Sequence, residues 1–197
     1  MDFALYENAV SMLTEEPDAY LAQLQAAKLN DDVEVAHYAA TAVAQISKES
    51  DLKLQQLERA FKTDPSAQNL NEYCDFLGEY LGSGLAEGRV AQIQRQQYAR
   101  LLARRCERED TLELRIRYAT ALADVGQIDE ALAVTDQLVL DVPEEQEVWM
   151  LCLRLAVMRR DGDEVHRVID AIDKQHVYLS AANREELAFW RNGEEAR

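Results

Sequence analysis

Apolar residues recur at intervals of three and four along nearly the whole chain, and polar residues fill the positions between them. This spacing places the apolar residues on one face of a helix. In the helix predicted from Ala67 to Leu81, that face consists of Leu70, Tyr73, Cys74, Leu77 and Tyr80. Nowhere do β-branched residues alternate with polar ones over the length of a strand. The pattern therefore predicts an all-α protein.

Glycine and proline divide this pattern into roughly eleven helices with short connections. The loosest linker is predicted at residues 82–88, and no boundary is strong enough to separate two domains. We therefore expect one helical-repeat domain over residues 1–197, with a first part at 1–65 and a second at 66–197. The predicted helices are 2–13, 17–29, 33–47, 51–63, 67–81, 89–107, two helices between 112 and 142 hinged at Gly126, 145–160, 163–174 and 181–191.

The stretch from Leu112 to Glu145 contains two amphipathic helices with a recognisable set of small and turn residues. Gly126 lies in the turn, Ala131 occupies a small-residue position in the second helix, and Pro143 closes the unit. Trp149 then opens the next unit. These residues resemble the tetratricopeptide repeat, which has a period of about 34 residues. The resemblance implies a right-handed α-solenoid of about five helix-turn-helix pairs plus a C-terminal capping helix.

Thr135 departs from that pattern, since the repeat usually has an aromatic residue there. The first part of the chain differs further: Asn30 to Ile46 resembles the second helix of a HEAT-type repeat, with paired aspartates before an alanine-dense run. Its HYAATA stretch, His37 to Ala42, together with Leu54 to Pro65, also resembles the tetratricopeptide scaffold subunits of Pel-type bacterial exopolysaccharide machinery. That resemblance implies a role in an exopolysaccharide or envelope assembly.

The composition excludes several classes of function. A net charge of −16 argues against nucleic acid as a partner, because phosphate binding needs a positive surface. No window is apolar enough for a membrane-spanning helix, and the start of the chain does not fit a signal peptide, so we expect a cytoplasmic protein without direct membrane insertion. Cys74, Cys106 and Cys152 are far apart and are expected to be buried free thiols, with no metal site and no cofactor.

The charge is unevenly distributed. Residues 89–117 carry 4 acidic and 8 basic residues in an otherwise acidic chain. We call the following residues the arginine belt: Arg89, Arg95, Arg100, Arg104, Arg105, Arg115 and Arg117. Arginine forms bidentate pairs with carboxylates. The belt either neutralises the acidic regions of its own chain or binds an acidic partner, and the sequence leaves both interpretations open.

If the repeat register holds, the first helix of each pair lines a concave groove. The predicted lining consists of Asn71, Asp75, Glu79, Ile116, Thr120, Asp124, Met150, Arg154 and Met158. Its mixture of acidic and apolar residues suits an amphipathic helix or an extended segment with basic residues. The Lys and Asn of a carboxylate clamp are absent from it. The candidate partner-binding residues are Asn71, Asp75, Glu79, Arg95, Arg100, Arg104, Arg117, Thr120, Asp124 and Arg154.

The sequence thus favours a non-enzymatic scaffold that binds a protein or peptide partner. One alternative is a small acidic secretion-type chaperone that holds a client polypeptide. A nucleotide- or metal-dependent regulator or enzyme is the other alternative, which the missing phosphate loop and nucleophile–base pair disfavour. The terminal helices carry apolar residues expected to be mostly core; any exposed ones would favour a homodimer or docking onto a membrane-bound complex. These are Phe3, Tyr6, Met12, Phe189 and Trp190.

Overall fold

The computed structural model describes residues 17–29 and 33–194, with the side chains of residues 21–29 and 35–191. Within these ranges the chain forms nine α-helices and no strand, which confirms the predicted all-α class. The predicted helix 2–13, with Phe3, Tyr6 and Met12, lies outside the described residues. The helices are α1 Pro17–Ala27, α2 Val33–Thr63, α3 Ala67–Gly82, α4 Gly88–Cys106, α5 Leu112–Asp124, α6 Ile128–Asp141, α7 Gln146–Arg159, α8 Gly162–Gln175 and α9 Ala181–Glu194.

Helix α2 corrects one sequence prediction. Two helices were expected, at residues 33–47 and 51–63, but the structure has one continuous helix of 31 residues. The intervening Lys48, Glu49 and Ser50 include neither glycine nor proline, so nothing in the backbone stops the helix there. The Gln45 Nε2 atom also donates to the Glu49 Oε1 atom at 2.7 Å across one turn. The expected break is therefore absent.

The chain divides into two compact units, residues 1–91 and 92–197. In the first, α2 packs against both α1 and α3. Leu24 of α1 and Ala39 of α2 are buried together at one contact. At the other contact, the rings of Phe61 and Tyr73 lie 6.2 Å apart. Two different stretches of one long helix thus form the core of unit 1.

In unit 2, each helix from α5 to α9 packs against the next one along the chain, and α5 also contacts α7. One apolar cluster joins α5, α6 and α7 around Ala131, which is 0% exposed, and Leu155. A second cluster extends from α6 to α9 and includes Leu138, Val148 and Leu153. Two apolar clusters that both include residues of α6 and α7 therefore connect the helices from α5 to α9.

Three helices of unit 2 end in the same way, with a residue in the left-handed backbone conformation. After α5 this residue is Gly126, at φ +80°, after α7 it is Arg160, at φ +59°, and after α8 it is His176, at φ +54°. In the first case the Gln127 amide donates to the Leu122 carbonyl at 2.9 Å, a bond that satisfies the end of the helix. At each of these positions the left-handed residue ends the helix.

The turn between α7 and α8 differs from the sequence prediction, in which the helices 145–160 and 163–174 leave Gly162 in the turn between them. Gly162 is instead the first residue of α8. Asp161 precedes it as the N-cap, and its side chain accepts a hydrogen bond from the Glu164 amide at 3.1 Å. Since Arg160 supplies the left-handed residue, no glycine is needed in the turn itself.

Two residues of the proposed repeat have well-defined surroundings. Trp149 is 5% exposed, and its Nε1 atom donates to the Pro143 carbonyl at 2.7 Å. Thr135, which stands where an aromatic residue was expected, is fully buried, and its hydroxyl donates to the Leu132 carbonyl at 3.0 Å. The buried hydroxyl is thus satisfied within its own helix.

Candidate partner-binding surfaces

The two arginines of the belt that lie on α5 make contacts within unit 2. The Arg115 Nη1 atom lies 2.6 Å from the Asp141 Oδ2 atom, and this hydrogen bond lowers the pKa of the Asp141 carboxyl below its usual value. Arg117 donates from Nε and Nη2 to the Tyr98 hydroxyl at 3.2 and 2.9 Å. Both side chains thus have partners within the chain, a carboxylate for Arg115 and a phenol hydroxyl for Arg117.

Two arginines of α4 also have electrostatic contacts within the chain. The Arg105 Nε atom lies 3.6 Å from the Glu109 Oε2 atom, one turn further along. Arg95 lies close enough to Asp124 to act on its carboxyl group. Desolvation raises the pKa of Asp124, and the charge of Arg95 opposes part of that increase. The predicted residues Arg95 and Asp124 are thus neighbours.

Arg100 is arranged differently. It is exposed, and among the described residues it makes no ion pair of the kind seen for Arg115. Its side chain lines a cleft of about 380 Å³ between α4 and the α5–α6 turn, which we call the α4–α5 cleft. Burial raises the pKa of the Tyr118 hydroxyl there, and the charge of Glu130 raises it further. The lining residues are Gln96, Ala99, Arg100, Ala103, Tyr118, Leu122, Val125, Gln127 and Glu130.

Only some of the residues predicted to line the groove on α5 and α7 are exposed. Thr120, Asp124 and Met158 are exposed on these two helices, which contact each other. Met150, however, is 2% exposed and belongs to the core, and Ile116 is half-buried against the same core. The prediction was wrong for Met150, because α7 is buried on most of its circumference in its first two turns.

Arg154, another predicted groove residue, is held by Glu186 of α9. Its Nε and Nη2 atoms donate to the two Glu186 carboxylate oxygens at 2.9 and 2.6 Å. These hydrogen bonds lower the pKa of Glu186 below its usual value. The two residues are 32 positions apart in sequence, so local patterns could not reveal the pair. Because the Arg154 side chain remains about half exposed, a partner could still reach it.

The three remaining candidates, Asn71, Asp75 and Glu79, are spaced by four residues along α3 of unit 1. Asn71 and Asp75 are half-buried, whereas Glu79 is exposed. Glu79 lines a cleft of about 450 Å³ between α1 and the end of α3. At its edge, the Gln25 Nε2 atom donates to the Ser83 carbonyl at 3.3 Å. These candidates are thus placed in a different unit from the other groove residues.

The apolar residues of the last helix have two different environments. Trp190 is half-buried and packs against the core of unit 2. Its neighbour Phe189 is 65% exposed, and the two rings meet edge to face at a centroid distance of 5.1 Å. The expectation that such residues are mostly core therefore fails for Phe189, which adds apolar surface to α9.

The three thiols of the chain are wholly or partly buried. Cys74 and Cys152 are buried, and Cys106 is half-buried. Burial raises the pKa of the Cys152 thiol to about 11, which keeps it protonated at neutral pH. Among the described residues, no group of three or more His, Cys, Asp or Glu side chains could hold a metal ion. None of the described helices has the length and apolar character needed to cross a membrane.

One surface feature was missed by the sequence analysis altogether. A cleft of about 350 Å³, which we call the α6–α8 cleft, separates the second helices of two successive pairs. Its lining residues are Leu132, Asp136, Val139, Leu140, Trp149, Cys152, Glu164, Arg167, Val168 and Ala171. The sequence of α6 contained a signal for this cleft. The helix has more apolar residues, up to Leu140, than a helix packed on one side needs, since the exposed side of such a helix is usually polar.

No family model matches the chain, and no curated protein matches it.

Proposed function

We propose that the protein is a non-enzymatic scaffold that binds a protein or peptide partner, and that unit 2 contains its main binding surface. One observation carries this proposal. The first helices α5 and α7 contact each other while keeping Thr120, Asp124 and Met158 exposed. Two packed helices with exposed polar and apolar side chains form a preformed surface, which reduces the ordering cost of binding.

The packing within unit 2 supports a tetratricopeptide-like solenoid as its architecture. The pairs α5–α6 and α7–α8 follow one another, and α5 contacts α7, the equivalent helix of the next pair. Ala131, the proposed small residue, is fully buried between helices. In the proposed register α9 caps the second pair. We propose a right-handed solenoid for these pairs of unit 2; the expected number of about five pairs along the chain is not kept, because the single helix α2 replaces two predicted helices.

The α4–α5 cleft gives the partner a chemical requirement. Arg100 presents a guanidinium group to solvent beside the Tyr118 ring, Gln96 and Gln127. An acidic side chain of the partner would form a charge-assisted hydrogen bond with that guanidinium. Arg104 lies one turn further along the exposed side of α4. We therefore propose that a segment with an acidic residue followed by apolar ones docks across the cleft.

The biological setting of this scaffold rests on the resemblance of the HYAATA stretch, His37 to Ala42, to scaffold subunits of exopolysaccharide machinery. We propose an envelope or exopolysaccharide assembly as that setting, with the partner in or near a membrane-bound complex. A scaffold of this kind would be purified together with a small, constant set of proteins. The alternative, a client-holding chaperone, would be purified with varied unfolded polypeptides.

The test is affinity purification from the native host with crosslinking and mass spectrometry. The wild type is compared with the double variant Arg100→Glu and Arg104→Glu, and a matched control reverses two other exposed charges of unit 2, Lys174→Glu and Arg184→Glu. We expect wild type and control to recover the same defined assembly and the belt variant to lose it, while circular dichroism shows unchanged helicity. Equal recovery by the belt variant would exclude Arg100 and Arg104 from the interface.

A further inference from the structure

The α6–α8 cleft is a groove between two helices, in which a further helix can bind. On α6 its wall is formed by Leu132, Asp136, Val139 and Leu140, which follow one another at helical spacing. These positions extend over two helical turns, about 12 Å along the axis. A wall of this length can contact about two consecutive turns of an incoming helix, rather than a single side chain.

The facing wall on α8 has the same construction. Glu164, Arg167, Val168 and Ala171 recur at intervals of three and four residues and so lie on one face of that helix. Between the two walls, Trp149 and Cys152 of α7 form an apolar floor. In helical proteins, a third helix packs into the groove between two such ridges of side chains. Leu140 is 75% exposed at the rim, where a partner would cover it.

The charges around the cleft decide what kind of helix fits. Helix α6 carries four acidic side chains and no basic one. Helix α8 carries four acidic side chains and two basic ones, Arg167 and Lys174, and Arg167 is already paired with Glu164. Asp136 is exposed in the α6 wall. An anionic membrane or a nucleic acid would be repelled here, whereas a cationic partner would be attracted.

We propose that the α6–α8 cleft docks an amphipathic helix of a protein partner, with apolar side chains on the floor and Lys or Arg residues facing Asp136 and the neighbouring acids. The occupant follows from the two-turn apolar groove combined with its acidic surroundings. This site goes beyond the proposed function, because it lies on the second helices of the pairs and uses neither Arg100 nor the α5–α7 surface. A scaffold with both surfaces could hold two partners at once.

The test uses a defined probe, a fluorescein-labelled 18-residue peptide of leucine and lysine arranged as an amphipathic helix. Its control has the same composition in an order that abolishes the apolar face. We expect anisotropy titrations to show saturable binding of the amphipathic peptide and binding at least about tenfold weaker for the shuffled one. Equal affinities would show that general attraction to an acidic protein is responsible and would overturn the proposal.

Variants of exposed residues then place the binding in the cleft. Leu140→Glu and Asp136→Lys should each weaken binding of the amphipathic peptide about tenfold. The matched control Glu185→Lys, on the exposed side of α9, changes the charge by the same amount as Asp136→Lys. Its affinity for the peptide should stay within about twofold of the wild-type value. If Asp136→Lys weakens binding no more than Glu185→Lys does, the cleft is not the site. Thermal melting of each variant checks that the fold is retained.

Two further measurements separate this proposal from the proposed function. The chain has 2 tryptophans, so Trp190→Phe leaves Trp149, in the floor of the cleft, as the single tryptophan, which can be excited selectively over the tyrosines. Its emission should shift on saturation with the amphipathic peptide; saturable binding without a shift would contradict the location. The double variant Arg100→Glu and Arg104→Glu should bind the peptide as the wild type does. Loss of binding there would place the peptide on the α4–α5 cleft instead and overturn the inference.

Discussion

Helix α2 of unit 1 and the helices α5 to α8 of unit 2 are built from similar residues but differ in how the chain is divided. Helix α2 continues for 31 residues, whereas each of the four helices in unit 2 has 13 or 14. Both regions show apolar residues at helical spacing. Helix length in this protein is therefore set by what happens at the ends of the helices and not by the apolar pattern.

The end groups of unit 2 show how this works. The Thr111 hydroxyl accepts a hydrogen bond from the Leu114 amide at 3.3 Å and caps the start of α5, and Gly126 follows its end in the left-handed conformation. Around Ser50, in contrast, α2 contains serines and charged residues but no residue that leaves the helical conformation. Serine and aspartate often begin helices, yet they are also tolerated inside them at small cost.

The largest expected effect comes from breaking the continuous helix of unit 1. Glu49→Pro should destabilise the protein by about 3 kcal/mol or more, since proline removes one backbone hydrogen bond and clashes with the preceding turn. Urea denaturation followed by circular dichroism measures the loss. Glu49→Ala keeps the helix and removes only the contact with Gln45, so its effect should stay below about 0.5 kcal/mol. A proline variant as stable as the alanine variant would mean that α2 is divided here in solution.

An intermediate effect is expected at a small residue that is fully buried between helices of unit 2. Ala131→Leu should destabilise by about 1–3 kcal/mol, because the extra carbon atoms have no space between the packed helices. Ala133→Leu is the matched control on the exposed side of the same helix and should be nearly neutral. Denaturant titrations of both variants provide the comparison. Similar stabilities for the two would contradict the close packing at Ala131.

The smallest effect concerns the ion pair that joins α7 to α9. Glu186→Gln should cost less than about 1 kcal/mol at neutral pH, because both side chains are partly exposed. The hydrogen bonds from Arg154 hold the folded-state pKa of Glu186 below 4.5, so its contribution is present above pH 4.5 and is lost as the pH falls through the lowered value. The stability difference between wild type and variant should disappear over that range.

Glu185→Gln is the control for this experiment, since it changes an exposed carboxyl next to Glu186 that makes no ion pair among the described residues. Its stability difference from the wild type should be smaller at neutral pH. A pH dependence of the same size in both variants would mean that the Arg154 contact does not contribute.

The local features of unit 2 could be predicted from the sequence. Gly126 and Pro143 mark the ends of helices because one tolerates a left-handed backbone and the other lacks an amide hydrogen. The end of α7 was also predicted, at residue 160, but the sequence did not indicate that a non-glycine residue, Arg160, adopts the left-handed conformation there. The continuity of α2 was missed, because a possible capping residue such as Ser50 has the same sequence signal inside a helix as at its start.

The surfaces could be predicted only in part. The exposure of Thr120 and Asp124 follows from helical spacing, but Met150, which was predicted on the same groove face of α7, is buried by neighbouring helices. The Arg154–Glu186 pair and the α6–α8 cleft depend on which helices become neighbours, which a single sequence does not encode locally. Arginine clustering in the sequence defined the belt, but only the structure shows that Arg115 and Arg117 make contacts within the chain, whereas Arg100 is exposed.

The neighbour-to-neighbour packing of unit 2 has a consequence for how the polypeptide acquires its structure. The main helix contacts there join segments that are adjacent or next but one along the chain. Such contacts close short loops, and helical proteins dominated by them fold within about microseconds to milliseconds. During synthesis, α5 and α6 can associate as soon as both have left the ribosome, and each later helix then adds to a surface that is already in place.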